Sequence, residues 1–251
     1  MSRAERSKIK MEELGVNFLT NFVETDPELI QILERFIYGE IYHQGTIDDE
    51  LRQLITLVVL TANQTFEGFK SEVEVALKVG VTPIAIKEAI YNCVPYIGFP
   101  KVLSALKLVN EVYAEQKVTL PLQNQARVQE EERYELGNLI QYPLYGDRVK
   151  QNNRDLPESH RELLPRYLTE FGFGDFHTRS GLTIKMRELL MLCVLCTLGG
   201  CEIQIKSHAN GNLRVGNSIE TMISAVTHCL PYIGFPRTLN SIALIKQAHI
   251  E

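Results

Sequence analysis

The sequence lacks a long run of charge of one sign and a long apolar run, and each absence excludes a class of function. The formal net charge is -5 and the charged residues are dispersed, so a basic nucleic-acid-binding footprint is not expected. The longest apolar runs, near residues 54–62 and 189–198, are about half of a bilayer span. The polar first ten residues are followed by no apolar stretch of the signal-peptide type. We therefore expect neither nucleic acid nor a membrane as a partner.

Cysteine is sparse and odd in number, with five residues in a chain of 251. Without a secretory signal, this pattern predicts a reduced cytoplasmic protein with free thiols. Hydrophobic residues make up 45% of the chain and charged residues 23%, so a core can form without disulfides or a structural metal. No His and carboxylate residues have convincing ligand spacing, and we expect no metal and no cofactor.

The sequence does contain an internal repeat. The segment from Cys93 to Pro100 recurs from Cys229 to Pro236 with seven of eight positions identical. Further towards the N-terminus, Arg52-Gln53-Leu54 pairs with Arg187-Glu188-Leu189, with one residue inserted in the second copy. Such long self-similarity predicts two copies of a unit of roughly 100 residues.

Each copy has the pattern of a helical unit. Asp26-Pro27-Glu28 and Leu156-Pro157-Glu158 predict helix starts, because proline is favoured in the first turn. Asp48 or Asp49 precedes apolar residues at helical spacing and predicts a central, buried helix; a strand is the competing interpretation. The remaining predictions are a helix over residues 65–78, a helix after Thr82-Pro83, a stop at Gly98, a helix over 219–230 capped by Ser218, and a helical part in 131–140.

These patterns divide the chain into four parts. Residues 1–25 form an N-terminal segment, 26–115 the first unit, and 156–251 the second. Residues 116–155 are polar and rich in Gln, Glu and Asn, and we interpret them as a linker that partly packs back on the units.

The repeated pattern resembles the carboxymuconolactone decarboxylase family, which includes the alkylhydroperoxidase D-like proteins. The resemblance rests on residues 171–176 with 182–189, on Gln204-Ile205-Lys206-Ser207-His208, and on residues 232–236, seen partly again in copy one. It implies an all-α fold of two tandem alkylhydroperoxidase D-like units in one chain. It also implies a homo-oligomer, and a tandem chain suits a trimer.

The resemblance implies a candidate active site in the second copy. In the redox branch of the family, a Cys-x-x-Cys and a histidine share one helix, and a glutamate from the preceding helix joins the proton relay. Glu188, Cys201 and His208 match the glutamate, the first cysteine and the histidine, whereas Gln204 replaces the second cysteine. A cysteine at a helix N-terminus is expected to have a lowered pKa. The corresponding copy-one positions carry Gln53, Thr65, Gly68 and Glu72.

Three functions follow, and the two enzymatic ones have a small molecule as substrate. The first is a peroxidase-like oxidoreductase using a relay of Glu188, Cys201 and His208. The second is a non-redox lactone decarboxylase in which His208 is the acid or base and Arg187 holds a substrate carboxylate. The third is a non-catalytic oligomer that binds a small ligand or a partner protein. Gln204 and His177 are further candidates for lining the pocket, whereas Cys193 and Cys196 are expected to be core residues.

Overall fold

The computed structural model describes residues 1–16 and 22–249. These residues form helices and no β-strand, which confirms the all-α prediction. Across the same ranges, no helix has the length and apolar character needed to span a membrane. In chain order the helices are α1 (Arg3–Leu14), α2 (Pro27–Ile37), α3 (Asp49–Asn63), α4 (Phe69–Lys78), α5 (Pro83–Asn92), α6 (Val94–Ile97), α7 (Phe99–Glu115), α8 (Arg133–Tyr145), α9 (Arg148–Asn152), α10 (Glu158–Arg161), α11 (Leu163–Tyr167), a π-helix (Leu168–His177), α12 (Ile184–Leu198), α13 (Glu202–Arg214) and α14 (Ile219–Ile245), with 3₁₀ turns at Ile41–His43 and Glu130–Glu132.

The two equivalent helices α3 and α12 form the centre of the molecule and pack against each other. Each begins with a side-chain cap: Asp48 accepts a hydrogen bond from the Leu51 amide, and Thr183 accepts one from the Met186 amide. Both helices are buried along nearly their whole length, which confirms the predicted central helix. Each buried Leu, Ile or Val contributes roughly 1.5–3 kcal/mol of transfer free energy, and α3 and α12 together contain many of them.

The repeated Cys-x-Pro-Tyr-Ile-Gly-Phe-Pro segment forms the same corner in both units. Gly98 and Gly234 both have positive φ, 81° and 77°, which side chains other than glycine rarely adopt. In the second unit, α14 (Ile219–Ile245) consists of two helical parts joined at a kink at Gly234, whose backbone is not helical; the first part contains the helix predicted over 219–230. The corner sets the direction of the following helix and fixes where its tyrosine, Tyr96 or Tyr232, points.

Helix α4 begins at Phe69, four residues later than the sequence predicts. Gln64 and Gly68 both have left-handed backbone conformations, which end α3 and delay the start of α4. In the second unit the corresponding loop is shorter, and α13 begins directly after Cys201. The helices that carry the candidate residues therefore start differently in the two units.

Helix α8 lies in the segment interpreted from the sequence as a linker, and it packs on the second unit as α1 packs on the first. Arg3 pairs with Glu40 at 3.1 Å, and Arg133 pairs with Asp175 at 2.6 Å at the equivalent place. Counting along each helix from these arginines, Tyr145 occupies the place of Gly15. Helix α8 thus makes the same kind of contact with the second unit that α1 makes with the first.

Candidate active site

The second unit brings Glu188 and His208 together. Glu188 lies in the first half of the buried helix α12, and His208 lies in the middle of α13. The His208 Nδ1 atom is 2.9 Å from Glu188 Oε2. Glu188 is fully buried, whereas the His208 side chain keeps 11% of its surface exposed. A carboxylate that holds Nδ1–H leaves Nε2 as the nitrogen that can exchange a proton with a ligand.

Two tyrosines from outside α12 and α13 complete this pair. The Tyr145 hydroxyl, at the end of α8, donates to Glu188 Oε2 at 2.6 Å and lies 2.9 Å from His208 Nδ1. Tyr96, from α6 of the first unit, lies edge-on to the His208 ring with centroids 5.5 Å apart. The site therefore contains groups from both units and from the segment between them.

His177, at the end of the π-helix, approaches the other oxygen of Glu188. Its Nε2 atom is 3.5 Å from Glu188 Oε1, and its Nδ1 is 3.0 Å from the Gly172 carbonyl. Since a carbonyl only accepts, Nδ1 carries the proton in that contact. A π-helix is uncommon and often occurs at functional sites, and here it ends at the residue that faces the acid.

Electrostatics keep Glu188 ionised. Burial alone favours the neutral carboxyl, but the charges and hydrogen bonds of His208 and His177 outweigh it, so the pKa of Glu188 lies well below its ordinary value. Tyr145 shows the opposite effect, because burial and then the adjacent Glu188 charge raise the pKa of its hydroxyl well above the usual range. Tyr145 is therefore a hydrogen-bond donor and not a base at neutral pH.

Close packing behind the pair fixes its geometry. A Cβ atom at Gly211 would lie 3.0 Å from the Tyr145 hydroxyl and 3.1 Å from Glu188 Oε2, so no side chain fits there without movement. The Asn212 amide donates to the backbone carbonyls of both Glu188 and His208, at 3.1 and 2.8 Å. These contacts tie α12 to α13 where the two functional side chains leave their helices.

Comparison with known proteins agrees with this architecture. The sequence model of the carboxymuconolactone decarboxylase family matches residues 27–111 and 162–247, together more than half of the chain. The chain belongs to the carboxymuconolactone decarboxylase family. It is also similar to a 4-carboxymuconolactone decarboxylase of Acinetobacter baylyi (strain ATCC 33305 / BD413 / ADP1), with 26% identity over 110 residues, 42% of this chain and 82% of that protein. The tandem repeat is thus two copies of the carboxymuconolactone decarboxylase unit.

Cys201 lies apart from the Glu188–His208 pair. It precedes the first residue of α13, seven positions before His208, which corresponds to two helical turns or roughly 10 Å. Its sulfur atom is 3.5 Å from the Gly199 carbonyl. Burial and then the charge of Glu202 raise the pKa of the thiol, the opposite of the lowering expected from the sequence.

The other residues that the sequence analysis singled out lie partly in this site and partly elsewhere. His177 is part of the site, and Gln204 is exposed one turn before His208 on α13, where a ligand could meet it. Cys193 and Cys196 are buried in the core, as predicted. Across the described ranges 1–16 and 22–249, no group of three or more His, Cys, Asp or Glu side chains is placed to hold a metal ion.

Arg187 serves the junction between the units instead of the His208 side. It is fully buried, and its Nη2 atom donates to Glu88 of the first unit at 2.9 Å and to the carbonyls of Arg179 and Ser180. Arg179 also pairs with Glu88, at 2.8 Å. Arg187 thus meets a carboxylate, as its motif suggests, but one that belongs to the protein.

The first unit contains different groups at the same places. Gln53 replaces Glu188 and donates to the Tyr42 hydroxyl at 2.6 Å, where the second unit has His177. Glu72 replaces His208; it is 3% exposed, and burial raises its pKa to about 7. Tyr232, from the second unit, lies beside the first unit's Glu72 just as Tyr96, from the first unit, lies beside the second unit's His208.

Sequence reasoning missed Tyr145 and Tyr96 as site residues. Tyr145 falls in a segment without a recognised repeat partner, although the Arg133 to Tyr145 spacing matches Arg3 to Gly15. Tyr96 stands in the segment that is nearly identical in both copies, which we used only as evidence for the repeat. A segment kept nearly identical in both copies can also serve a site, when each copy supplies a residue to the other.

Proposed function

We propose that the second unit is an acid–base catalyst that decarboxylates a small carboxylated lactone, with His208 as the group that transfers the proton. The observation that carries the proposal is the 2.9 Å contact between His208 Nδ1 and the buried, ionised Glu188. A carboxylate behind an imidazole fixes its tautomer and raises its basicity. The similarity to a 4-carboxymuconolactone decarboxylase supports the choice of substrate class.

The chemical steps follow from this arrangement. The carbon–carbon bond to the substrate carboxylate breaks, CO₂ leaves, and the electron pair stays on the carbon, where the conjugated lactone delocalises it. The His208 imidazolium then gives a proton to that carbon, and a proton from solvent restores it. The Glu188 carboxylate stabilises the charged imidazolium of His208. The Tyr145 hydroxyl donates a hydrogen bond to Glu188 Oε2 and keeps this carboxylate in position.

The site geometry gives the peroxidase function less support. That function needs an activated thiol and a second thiol to restore it. The pKa of Cys201 is raised rather than lowered, and Gln204 stands where the second cysteine would be. A relay through Cys201 remains a prediction, and its test is direct: Cys201→Ser should abolish hydroperoxide turnover, while Cys193→Ser should not.

The deciding experiment measures CO₂ release from 4-carboxymuconolactone by the purified protein. We expect His208→Ala to abolish release, and Cys201→Ser to leave it unchanged. His160→Ala is the matched control, because His160 is exposed on α10. A wild type that releases no CO₂ would contradict the substrate class. Release that depends on Cys201 but not on His208 would contradict the acid–base mechanism.

We further propose that the chain self-associates, as a trimer, through a face that both units expose. Phe99 and Leu103 on α7 are 64% and 56% exposed, and their repeat partners Phe235 and Leu239 on α14 are each 59% exposed. Equivalent apolar pairs on both units are suited to contacts that repeat around a closed assembly. Light scattering should give three chains per particle, and Phe99→Ser with Phe235→Ser should give one; a monomeric wild type would contradict the proposal.

A further inference from the structure

Arg52 and Arg187 occupy equivalent places in the two units and share one internal contact. Arg52 Nη2 donates to the Gln44 carbonyl at 2.5 Å, and Arg187 Nη2 donates to the Arg179 carbonyl at 3.1 Å. Gln44 and Arg179 are repeat partners, as are the arginines. Around this shared contact the environments differ, because Arg187 also pairs with Glu88, whose repeat partner is Ser224.

In the first unit, His228 of α14 completes the contacts. Its Nδ1 atom is 3.3 Å from Arg52 Nη1, and its Nε2 atom is 3.1 Å from the Thr56 hydroxyl. Burial, and then the Arg52 charge, lower the pKa of His228 to about 3, so the ring is neutral and Nδ1 accepts the hydrogen bond. The ring also lies against Tyr42, with centroids 5.2 Å apart.

In the second unit, the corresponding residues do not reach one another. Asn92 replaces His228 and Met191 replaces Thr56, so the ring and the hydroxyl are both missing. Asn92 is fully buried, and within the described ranges neither its amide nitrogen nor its oxygen has a hydrogen-bond partner. The same is true of Arg187 Nε and Nη1.

Two atoms of the candidate active site share this condition. Glu188 Oε1 and His177 Nε2 are buried and face each other at 3.5 Å, with no other hydrogen-bond partner among the described residues. The repeat places them next to Asn92, since Tyr42, the partner of His177, contacts His228. Buried polar groups are nearly always satisfied by protein or by ordered water.

We propose that ordered water binds in this polar pocket between the units, held by Asn92 and Arg187 and reaching the Glu188 side of the site. Water fits the chemistry, because the unpartnered atoms include guanidinium and amide donors as well as amide and carboxylate acceptors. A second anion does not fit beside the ionised Glu188. A substrate does not fit either, since Asn92, Arg187 and Glu188 are all fully buried.

The proposal is independent of the reaction proposed for His208, and high-resolution crystal structures of the wild type and two exchange variants test it. Asn92→His gives the second unit the residue of the first, and His228→Asn does the reverse. We expect the wild type to show a water peak within hydrogen-bond distance of Asn92 and Arg187. We expect Asn92→His to lose that peak, and His228→Asn to gain one beside Arg52.

The wild-type structure alone keeps the proposal testable if a variant does not fold. A direct hydrogen bond between Asn92 and Arg187, with no solvent peak between them, would overturn it. So would a peak that persists unchanged in Asn92→His, because the water would then not depend on the shorter side chain. The strongest support would be a water peak that is lost beside Arg187 in Asn92→His and gained beside Arg52 in His228→Asn.

Discussion

The two units place an acid at different positions of the same scaffold, and the surroundings decide its charge. In the second unit Glu188 lies between two imidazoles, and its pKa is held well below the ordinary value. In the first unit the acid is Glu72, on the next helix, with no ion-pair partner among residues 1–16 and 22–249, and burial raises its pKa to about 7. Gln53 stands in place of Glu188, and Glu72 stands in place of His208. As a result, the second unit has an ionised carboxylate beside an imidazole, whereas the first unit has a weakly acidic, buried carboxyl group.

The approach to each site differs as well. Tyr145 reaches Glu188 from α8, whereas the equivalent place on α1 is Gly15, which has no side chain. Asn212, which ties α12 to α13, is replaced by Ala76 in the first unit. The scaffold is shared, while the polar support around the pair belongs to the second unit.

The largest effect is expected from Glu188→Gln, which gives the second unit the amide of the first. Removing the carboxylate removes the charge that stabilises the His208 imidazolium. Turnover of the lactone should fall by about 10²–10⁴-fold. Glu202→Gln, at an exposed position of α13, is the control and should keep full turnover. Undiminished turnover in Glu188→Gln would mean that the difference between the units is not functional.

Glu72→Gln should change the pH dependence of stability. The pKa of Glu72 rises from 4.5 to about 7 on folding, so the folded state binds the proton more tightly. The contribution of Glu72 to stability is therefore fully present below pH 4.5 and is lost as the pH rises through 7, by roughly 3 kcal/mol. Urea unfolding of Glu72→Gln across this range should lack that decline, whereas Glu74→Gln, exposed on the same helix, should retain it. Parallel profiles for Glu72→Gln and wild type would contradict an uncompensated buried acid.

Tyr145→Phe tests the contribution of the α8 hydroxyl. It removes the 2.6 Å hydrogen bond to Glu188 and leaves the ring packing in place. The loss of one hydrogen bond to a charged group corresponds to about tenfold or somewhat more in turnover. Tyr142→Phe, whose ring is 54% exposed one turn earlier, should have no effect. Equal activity of both variants would remove Tyr145 from the site.

The smallest effect is expected from Gly211→Ala. An exposed glycine inside a helix gains about 1 kcal/mol on substitution by alanine. Here the new Cβ would press against the Tyr145 hydroxyl and Glu188, so we expect no gain or a net loss in the free energy of unfolding. Ser207→Ala on the same helix should be neutral or slightly stabilising. A full gain at Gly211 would show that the pair has room to move.

Local patterns predicted most of the fold. The caps at Asp48 and Ser218 and the buried helix α3 follow from capping and periodicity, which depend on residues near in sequence. The late start of α4 was not predicted, because the left-handed conformation of Gln64 has no strong sequence signal.

The candidate site was only partly predictable. Glu188 and His208 followed from the family motif, since both lie at fixed helical positions. Tyr145 and Tyr96 depend on how distant helices pack, and no local spacing shows that. The pKa of Cys201 could not be predicted from its place at a helix start, because burial and Glu202 act against the helix.

The exchange of tyrosines between the units has a consequence for how this chain can change over time. Tyr96 of the first half lies against His208, and Tyr232 of the second half lies beside His228 and near Glu72. Each half therefore supplies a tyrosine that packs inside the other half. Deleting the first half would expose one face of His208 along with the α3–α12 junction. The two halves can therefore differ in the groups at their equivalent sites, while each still needs the other to enclose its interior.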